Sequence, residues 1–390
     1  MPRVFSDGEF QRRIAGAREI MDRMGVDAVM CTSVHNIVYF SGFFYVMPYG
    51  RYAAVVVPLN GDPVIITPRI EAGRVRDFTW LGDVRVYTDT ENTVAGTVRL
   101  INEVLSEKGV AEGKLGVEED SIPVALWTAL RDSLPKANLV DVSDPIEGMR
   151  MVKSQEEIDL TRKLATLCDV AAAAVDENIR VGDTEIEVSQ RAEAALCTEY
   201  ARLFPDFDYT AGQLGAKGGP RIWGHAGAIG RRFQEGDLVA LWANPLVMGY
   251  FSTIARKRVI GKISPELQRY HDIAMEAQDR GIDAVRPGAR FSDVDDAALK
   301  VFEKHGVAEH KGFGTGHSHG LMGPFWGREK KGEYRRYNDN VLKPGMITSM
   351  EPSLFVPGVG VLMLNDMVLV TDNGREVMTS YPRDFRSIAA

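Results

Sequence analysis

Between Gly312 and Pro352 the sequence gathers residue types that together could move a proton and hold an anion. Gly312 to Arg328 reads GFGTGHSHGLMGPFWGR, and KPGMITSMEP follows from Lys343 to Pro352. Glycines at 312, 314, 316 and 320 let the backbone bend and come close to a small molecule. His317 and His319 sit in that bend, and histidine is the side chain whose ordinary titration range suits proton transfer near neutral pH. Arg328 supplies a cation suited to an anion. Glu351 closes a strand-like run, Met346 to Met350, that Pro352 stops. A base, a cation and a carboxylate in one segment make the kind of cluster a catalytic site needs. A solvated glycine-rich loop would account for a lone histidine, but less well for all of these types at this spacing.

Composition excludes several classes. The 390 residues suit two or three domains, or one large two-part enzyme. Apolar residues make up 45% and charged residues 26%, ordinary values for a soluble globular protein. The net charge of −8 gives no footprint for nucleic acid. No apolar run approaches a membrane span, and the charged, amphipathic start carries no signal-peptide core. Cys31, Cys168 and Cys197 are scattered and odd in number, which argues against a disulfide framework and for a reducing, cytoplasmic setting.

The elements that must position the chemistry alternate. Helical spacing at Gly8–Met24 is followed by short strands at Asp27–Thr32, Tyr52–Pro58 and Pro63–Thr67, the last two joined by a hairpin signal, Asn60-Gly61. Further strands and helices alternate to Val142, predicting an α/β domain with a mixed sheet over 1–152. The irregular piece is Phe43–Arg51, FFYVMPYGR. Its aromatics and Arg51 suit recognition of a small carboxylate, or else close the domain's own loop.

A second domain is expected over 153–390. Ser154-Gln155-Glu156-Glu157 predicts a capped helix to about Asn178. IRVGDTEIEV at 179–188 and VRPGARFSDV at 285–294 form a weak internal repeat between helical segments. Two similar α/β halves with a site in the cleft between them follow from it. Strand-like runs at Leu238–Ala243 and Tyr250–Ile260 belong to the first half; Met346–Met350 and Leu362–Thr371 belong to the second.

The elements G-H-x-x-G, P-G-M and M-E-P, in this order, resemble the pita-bread superfamily of methionine aminopeptidase, prolidase, aminopeptidase P and creatinase. The peptidases of that superfamily bind two metal ions through two Asp, one His and two Glu. His317 and Glu351 match that pattern, whereas Trp242, Thr253 and Asn365 stand at the other positions. Trp cannot bind a hard cation, and Thr and Asn are poor substitutes for bridging carboxylates. The expectation is therefore no metal and no cofactor.

Over nearly its whole length the chain is similar to the metal-free creatinase branch. The likeness runs through TSVHNIVYFSG at 32–42, Tyr49-Gly50-Arg51, Tyr87-Thr88-Asp89, GHSHG at 316–320 and FWGRE at 325–329. It implies His225, in WGHAG at 223–227, as general base and acid, with His317 as second histidine and Glu351 as substrate-binding carboxylate. It implies that Arg328 and Arg51 hold a substrate carboxylate in a pocket lined by Tyr49, with His319 and Asn365 further substrate contacts. Arg51 would come from the partner subunit of a homodimer with composite active sites. The chain departs from that branch at Ala255 and Asn365, where a guanidinium-gripping Glu and a His are expected.

The chemistry can be argued from the residues. Splitting a C–N bond without metal needs a base to activate water and an acid to protonate the leaving nitrogen, and histidine can serve as both in turn. Glu351 can stabilise positive charge on the substrate nitrogens. The expected function is hydrolysis of an amidine or amide in a small carboxylate-bearing molecule, creatine or a related guanidino or amide compound. A metal-dependent Xaa-Pro peptidase and a catalytically silent ligand-binding homologue stay open. His35, His271, His305 and His310 read as structural or solvated.

Overall fold

The computed structural model describes residues 3–44, 50–90, 92–221, 227–321 and 329–389, the side chains of Ala211 and Lys330 aside. These fall into two compact units, Met1–Arg150 and Met151–Ala390. The first comprises α1 (Asp7–Met24), β1 (Ala28–Cys31), α2 (Val34–Ser41), β2 (Ala54–Pro58), β3 (Val64–Pro68), α3 (Ala72–Phe78), β4 (Asp83–Tyr87), α4 (Thr93–Glu107), β5 (Lys114–Val117), α5 (Val124–Ser133), β6 (Asn138–Asp141) and α6 (Ser143–Met151). Its six strands form one mixed sheet in the order β4-β3-β2-β1-β5-β6. The β1–β2 and β2–β3 pairs are antiparallel and the others parallel. Gly61 takes the left-handed φ of +94° at the hairpin between β2 and β3.

One helix of this unit was not evident from the sequence. VHNIVYFS is β-branched and aromatic, yet it forms α2. Ser33 caps it, and the buried carboxylate of Glu118, just past β5, accepts from the Thr32 and Ser33 amides at 2.6 and 3.0 Å and from the Asn36 side chain. An anion at the positive end of a helix offsets a weak propensity.

The second unit holds α7 (Gln155–Asn178), α8 (Glu185–Leu203), β7 (Thr210–Lys217), β8 (Leu238–Val247), β9 (Tyr250–Phe251), β10 (Ile254–Ile260), α9 (Pro265–Ala284), α10 (Phe291–Lys304), β11 (Gly316–His317), β12 (Glu333–Tyr334), β13 (Ile347–Met350), β14 (Ser353–Val356), β15 (Gly360–Met363), β16 (Asp366–Thr371), β17 (Gly374–Val377) and β18 (Arg386–Ile388). Ser154 and Glu157 form the expected capping box on α7. The two repeat segments are equivalent corners, one joining α7 to α8 and the other α9 to α10. Each turns on a left-handed glycine, Gly182 at +88° and Gly288 at +83°. No helix among the described residues is long and apolar enough to cross a membrane.

Two of the expected strands are interrupted, and the interruptions place the site. Tyr250–Ile260 breaks at Ser252-Thr253, and Leu362–Thr371 breaks at Leu364-Asn365. There Asn365 leaves its own ladder and exchanges backbone hydrogen bonds with Ala255, at 3.2 and 3.1 Å. Arg256 fixes this crossing from beside it. Its Nη1 donates to the carbonyls of both Ala255 and Asn365 at 2.9 Å, and its Nη2 meets Asp366 Oδ1 at 2.6 Å. Thr379 and Gln278 donate to the remaining lone pairs of Asp366 at 2.6 and 3.0 Å. Both charges are 1% exposed. Removing one partner of such a buried pair leaves the other uncompensated. Arg256→Met is expected to lower unfolding stability by about 3–5 kcal/mol, and Arg256→Met with Asp366→Asn to recover part of it; urea denaturation of the three proteins checks both.

Candidate active site

The strand registers arrange one face of the sheet formed by β7, β8 and β10 in rows. Gly215, Trp242 and Ala255 are cross-strand partners, and so are Lys217, Ala240 and Lys257. On the other side of the Trp242 row lie Gln213, Asn244 and Thr253. Alternate residues of a strand share a face, so these rows look out together. Arg258 faces the other way, onto Asp176 of α7 at 2.8 Å. The tight two-residue turn that sets this register contains Met248, a non-glycine residue at φ +47°, and Gly249 at +83°.

Polar side chains at the end of this face are joined in one chain. Asn365 Nδ2 donates to Glu351 Oε2 at 2.7 Å and to Thr253 Oγ1 at 3.2 Å. Thr253 passes its own proton to Asn244 Oδ1 at 2.7 Å. These bonds fix which way the Asn365 amide points. Its Oδ1 is buried and has no hydrogen-bond partner among the described residues. It is thus an acceptor held ready for an incoming N–H.

Glu351 connects this chain to a histidine. Its Oε1 lies 3.4 Å from His317 Nε2. His317 donates through Nδ1 to the Ser318 carbonyl at 2.9 Å, because a carbonyl can only accept. Nε2 is therefore the nitrogen presented to the carboxylate, where a proton on it would be shared with Glu351. His319 stacks on His317, centroids 4.6 Å apart, and on Phe251 at 4.5 Å. Of the residues expected from sequence, the structure thus brings together His317, His319, Glu351 and Asn365. Arg51 meets Asp89 at 2.5 Å in the first unit. Tyr49, His225 and Arg328 lie outside the described residues.

Sequence reading missed Asn244, and it named Thr253 only as a lost ligand. A register counted from the Met248-Gly249 turn would have set the two opposite each other. It also missed two lysines. Lys257 is 2% exposed and lacks a hydrogen-bond or carboxylate partner among the described residues. Burial, then repulsion from Lys217, pushes its amine down to about 7. Lys217 Nζ lies 5.7 Å from the Trp242 ring, and burial lowers it too. His271 of α9 is close enough to Lys257 to feel its charge. It is stacked on Phe385, burial pushes it down to about 4, and neither ring nitrogen has a hydrogen-bond partner among the described residues.

The donor set can be tested against a metal centre. Glu351 is the one carboxylate in the chain of Asn365, Thr253 and Asn244, and Asn365 turns an N–H, not a lone pair, toward it. Among the described residues no three His, Cys, Asp or Glu side chains are grouped to hold an ion. These residues do not fit a two-metal site, which needs several hard oxygen ligands around each ion.

Comparison with known proteins agrees with this architecture. The model for metallopeptidase family M24 matches residues 159–372, and that for the creatinase/prolidase N-terminal domain matches 13–152. A creatinase of a Bacillus species is 34% identical over 384 residues, covering 97% of this chain and 92% of that protein. A putative dipeptidase of Bacillus subtilis, YkvY, is 26% identical, covering 95% and 98%. Among solved structures, an Xaa-Pro dipeptidase from Bacillus anthracis superposes with a TM-score of 0.84 at 25% identity, covering 97% of this chain and all of that one. The chain belongs to metallopeptidase family M24, as a hydrolase of the pita-bread fold with a creatinase/prolidase N-terminal domain.

Proposed function

We propose that the protein is a metal-independent hydrolase that cleaves a C–N bond in a small carboxylate-bearing amidine or amide, creatine-like in its chemistry. The observation that carries this reading is the Asn365 amide. It gives its N–H to Glu351 and Thr253 and leaves Oδ1 as a buried acceptor beside the Glu351 carboxylate. Two acceptors side by side suit the N–H groups of an amidine, guanidinium or primary amide. The likeness to a creatinase supports the same substrate class.

In the proposed reaction, water adds to the central carbon of the substrate and gives its proton to a histidine. The C–N bond then breaks, and the leaving nitrogen takes that proton. His225 is the proposed carrier on the strength of the sequence resemblance. Glu351 and Asn365 hold the nitrogens, and the carboxylate offsets positive charge that grows on them. His317 keeps Glu351 oriented through Nε2 and shares its proton. We further propose a homodimer in which Arg51 of one subunit reaches the substrate carboxylate of the other, as the creatinase resemblance implies.

Three outcomes are expected. Prolonged chelation leaves turnover unchanged, whereas loss restored by Mn²⁺ or Co²⁺ would favour the peptidase reading that the dipeptidase relatives suggest. Glu351→Gln keeps the shape and removes the charge, and should lower kcat/KM by roughly 10²-fold or more, the size of losing one electrostatic stabiliser; steady-state kinetics on guanidino acids measures it. Mixed Arg51→Ala and His225→Ala protomers should regain activity that neither has alone, and no rescue after confirmed subunit exchange would refute the composite site.

A further inference from the structure

The mechanism leaves Lys257 unexplained. It lies two residues along β10 from Ala255, which pairs with Asn365, and it shares its face with Trp242 and Asn244. Lys217 stands two strands away in the same row, with only the methyl group of Ala240 between them. Two ammonium groups on one buried surface repel, and an unpaired buried charge is costly. The groups that act on Lys257 from the packed elements are Lys217 of β7 and His271 of α9, neither of them an acid. Arg221 and Glu185 act in turn on Lys217. Glu185 is already engaged, accepting from the Gly218 and Ile229 amides at 2.9 and 3.0 Å and from Arg221. A buried amine with no carboxylate, beside a second amine, is a site shaped for an anion.

We propose that Lys257 and Lys217 form the subsite for the substrate's carboxylate, on the sheet face that leads to Glu351 and Asn365. This rests on the reading that Glu351 and Asn365 hold the reacting nitrogens. It also constrains substrate length. Lys257 is four residues from Thr253, roughly 13 Å along the strand, and its four-carbon stem spans about half of that. The carboxylate therefore sits roughly 6–8 Å from the reacting carbon, further than the single methylene and nitrogen of guanidinoacetate provide. The substrate class is an ω-guanidino or ω-amido acid with a chain of several carbons. Trp242, whose indole lies against Gly215 and beneath Lys217, forms the apolar wall along that chain.

The test is calorimetric binding to the full-length protein, wild type and Lys257→Met, with Lys217→Met as a second variant. The probes are guanidinoacetate, 3-guanidinopropanoate, 4-guanidinobutanoate, uncharged-tail butylguanidine and inorganic phosphate. Affinity should rise along the acid series. Lys257→Met should weaken 4-guanidinobutanoate roughly tenfold or more, as loss of a charge-assisted bond does, and change butylguanidine less than twofold. Lys257→Met should itself melt higher than wild type below pH 7, where the buried amine is charged. That gain should shrink as pH rises from about 7 toward 10, because the folded protein has then shed the proton that the unfolded chain still holds. Acid affinity unchanged within twofold in both variants overturns the proposal, as does failure of every acid to bind wild type, or a lower melting temperature for Lys257→Met. Binding of phosphate through Lys257 without competition from the acids overturns it in favour of an effector site. Acids that bind through Lys257 but are never hydrolysed uphold the subsite and sink the hydrolase reading alone.

Discussion

The buried pair between Arg256 and Asp366 is the constraint on which the site depends. An ion pair removed from water is not in itself a source of stability, since desolvation offsets much of the attraction. What this one supplies is geometry. Arg256 uses its donors on two carbonyls from different strands, those of Ala255 and Asn365, as well as on the carboxylate. Asn365 is thereby drawn out of its own ladder and set beside Thr253 and Glu351. A hydrophobic residue at 256 could fill the same volume but would leave two carbonyls and a carboxylate without donors.

Much of this was legible in the sequence, for definable reasons. The alternating elements of the first unit, the capped start of α7 and the paired helix corners all rest on local signals, and local signals survive folding. His317 and Glu351 were conspicuous because glycine spacing and a terminating proline marked their segments. Asn244 and Lys257 were not, because nothing in their neighbourhood is unusual. Their meaning comes from register, and register passes through a turn whose first residue, Met248, gives no hint of its positive φ. α2 was hidden for the opposite reason: its composition favours a strand, and the anion that caps it comes from Glu118, far along the chain.

The polar chain of Glu351, Asn365, Thr253 and Asn244 also shows how one scaffold can carry different chemistry. At the metal-ligand positions of the fold, neutral side chains can satisfy one another by hydrogen bonds, whereas clustered carboxylates need cations between them. Directional donors and acceptors then replace charge as the means of orienting a substrate. Such a site tolerates little displacement, because a hydrogen bond weakens steeply with angle.

The strand that carries Thr253 to Lys257 has one further property. Its outer edge is completed by β18, and the carbonyls of Tyr381, Pro382 and Asp384 accept from Arg256 and Arg258, more than 120 positions earlier. During synthesis, domains tend to fold as units from the N-terminal side. The first unit draws its sheet from residues before Arg150 and can close while translation continues. β10 cannot, because its edge stays bare until Ile388 has left the ribosome. The nascent second unit thus spends its synthesis with an open strand edge and two unsatisfied arginines, a state in which a holding chaperone would find a ready target.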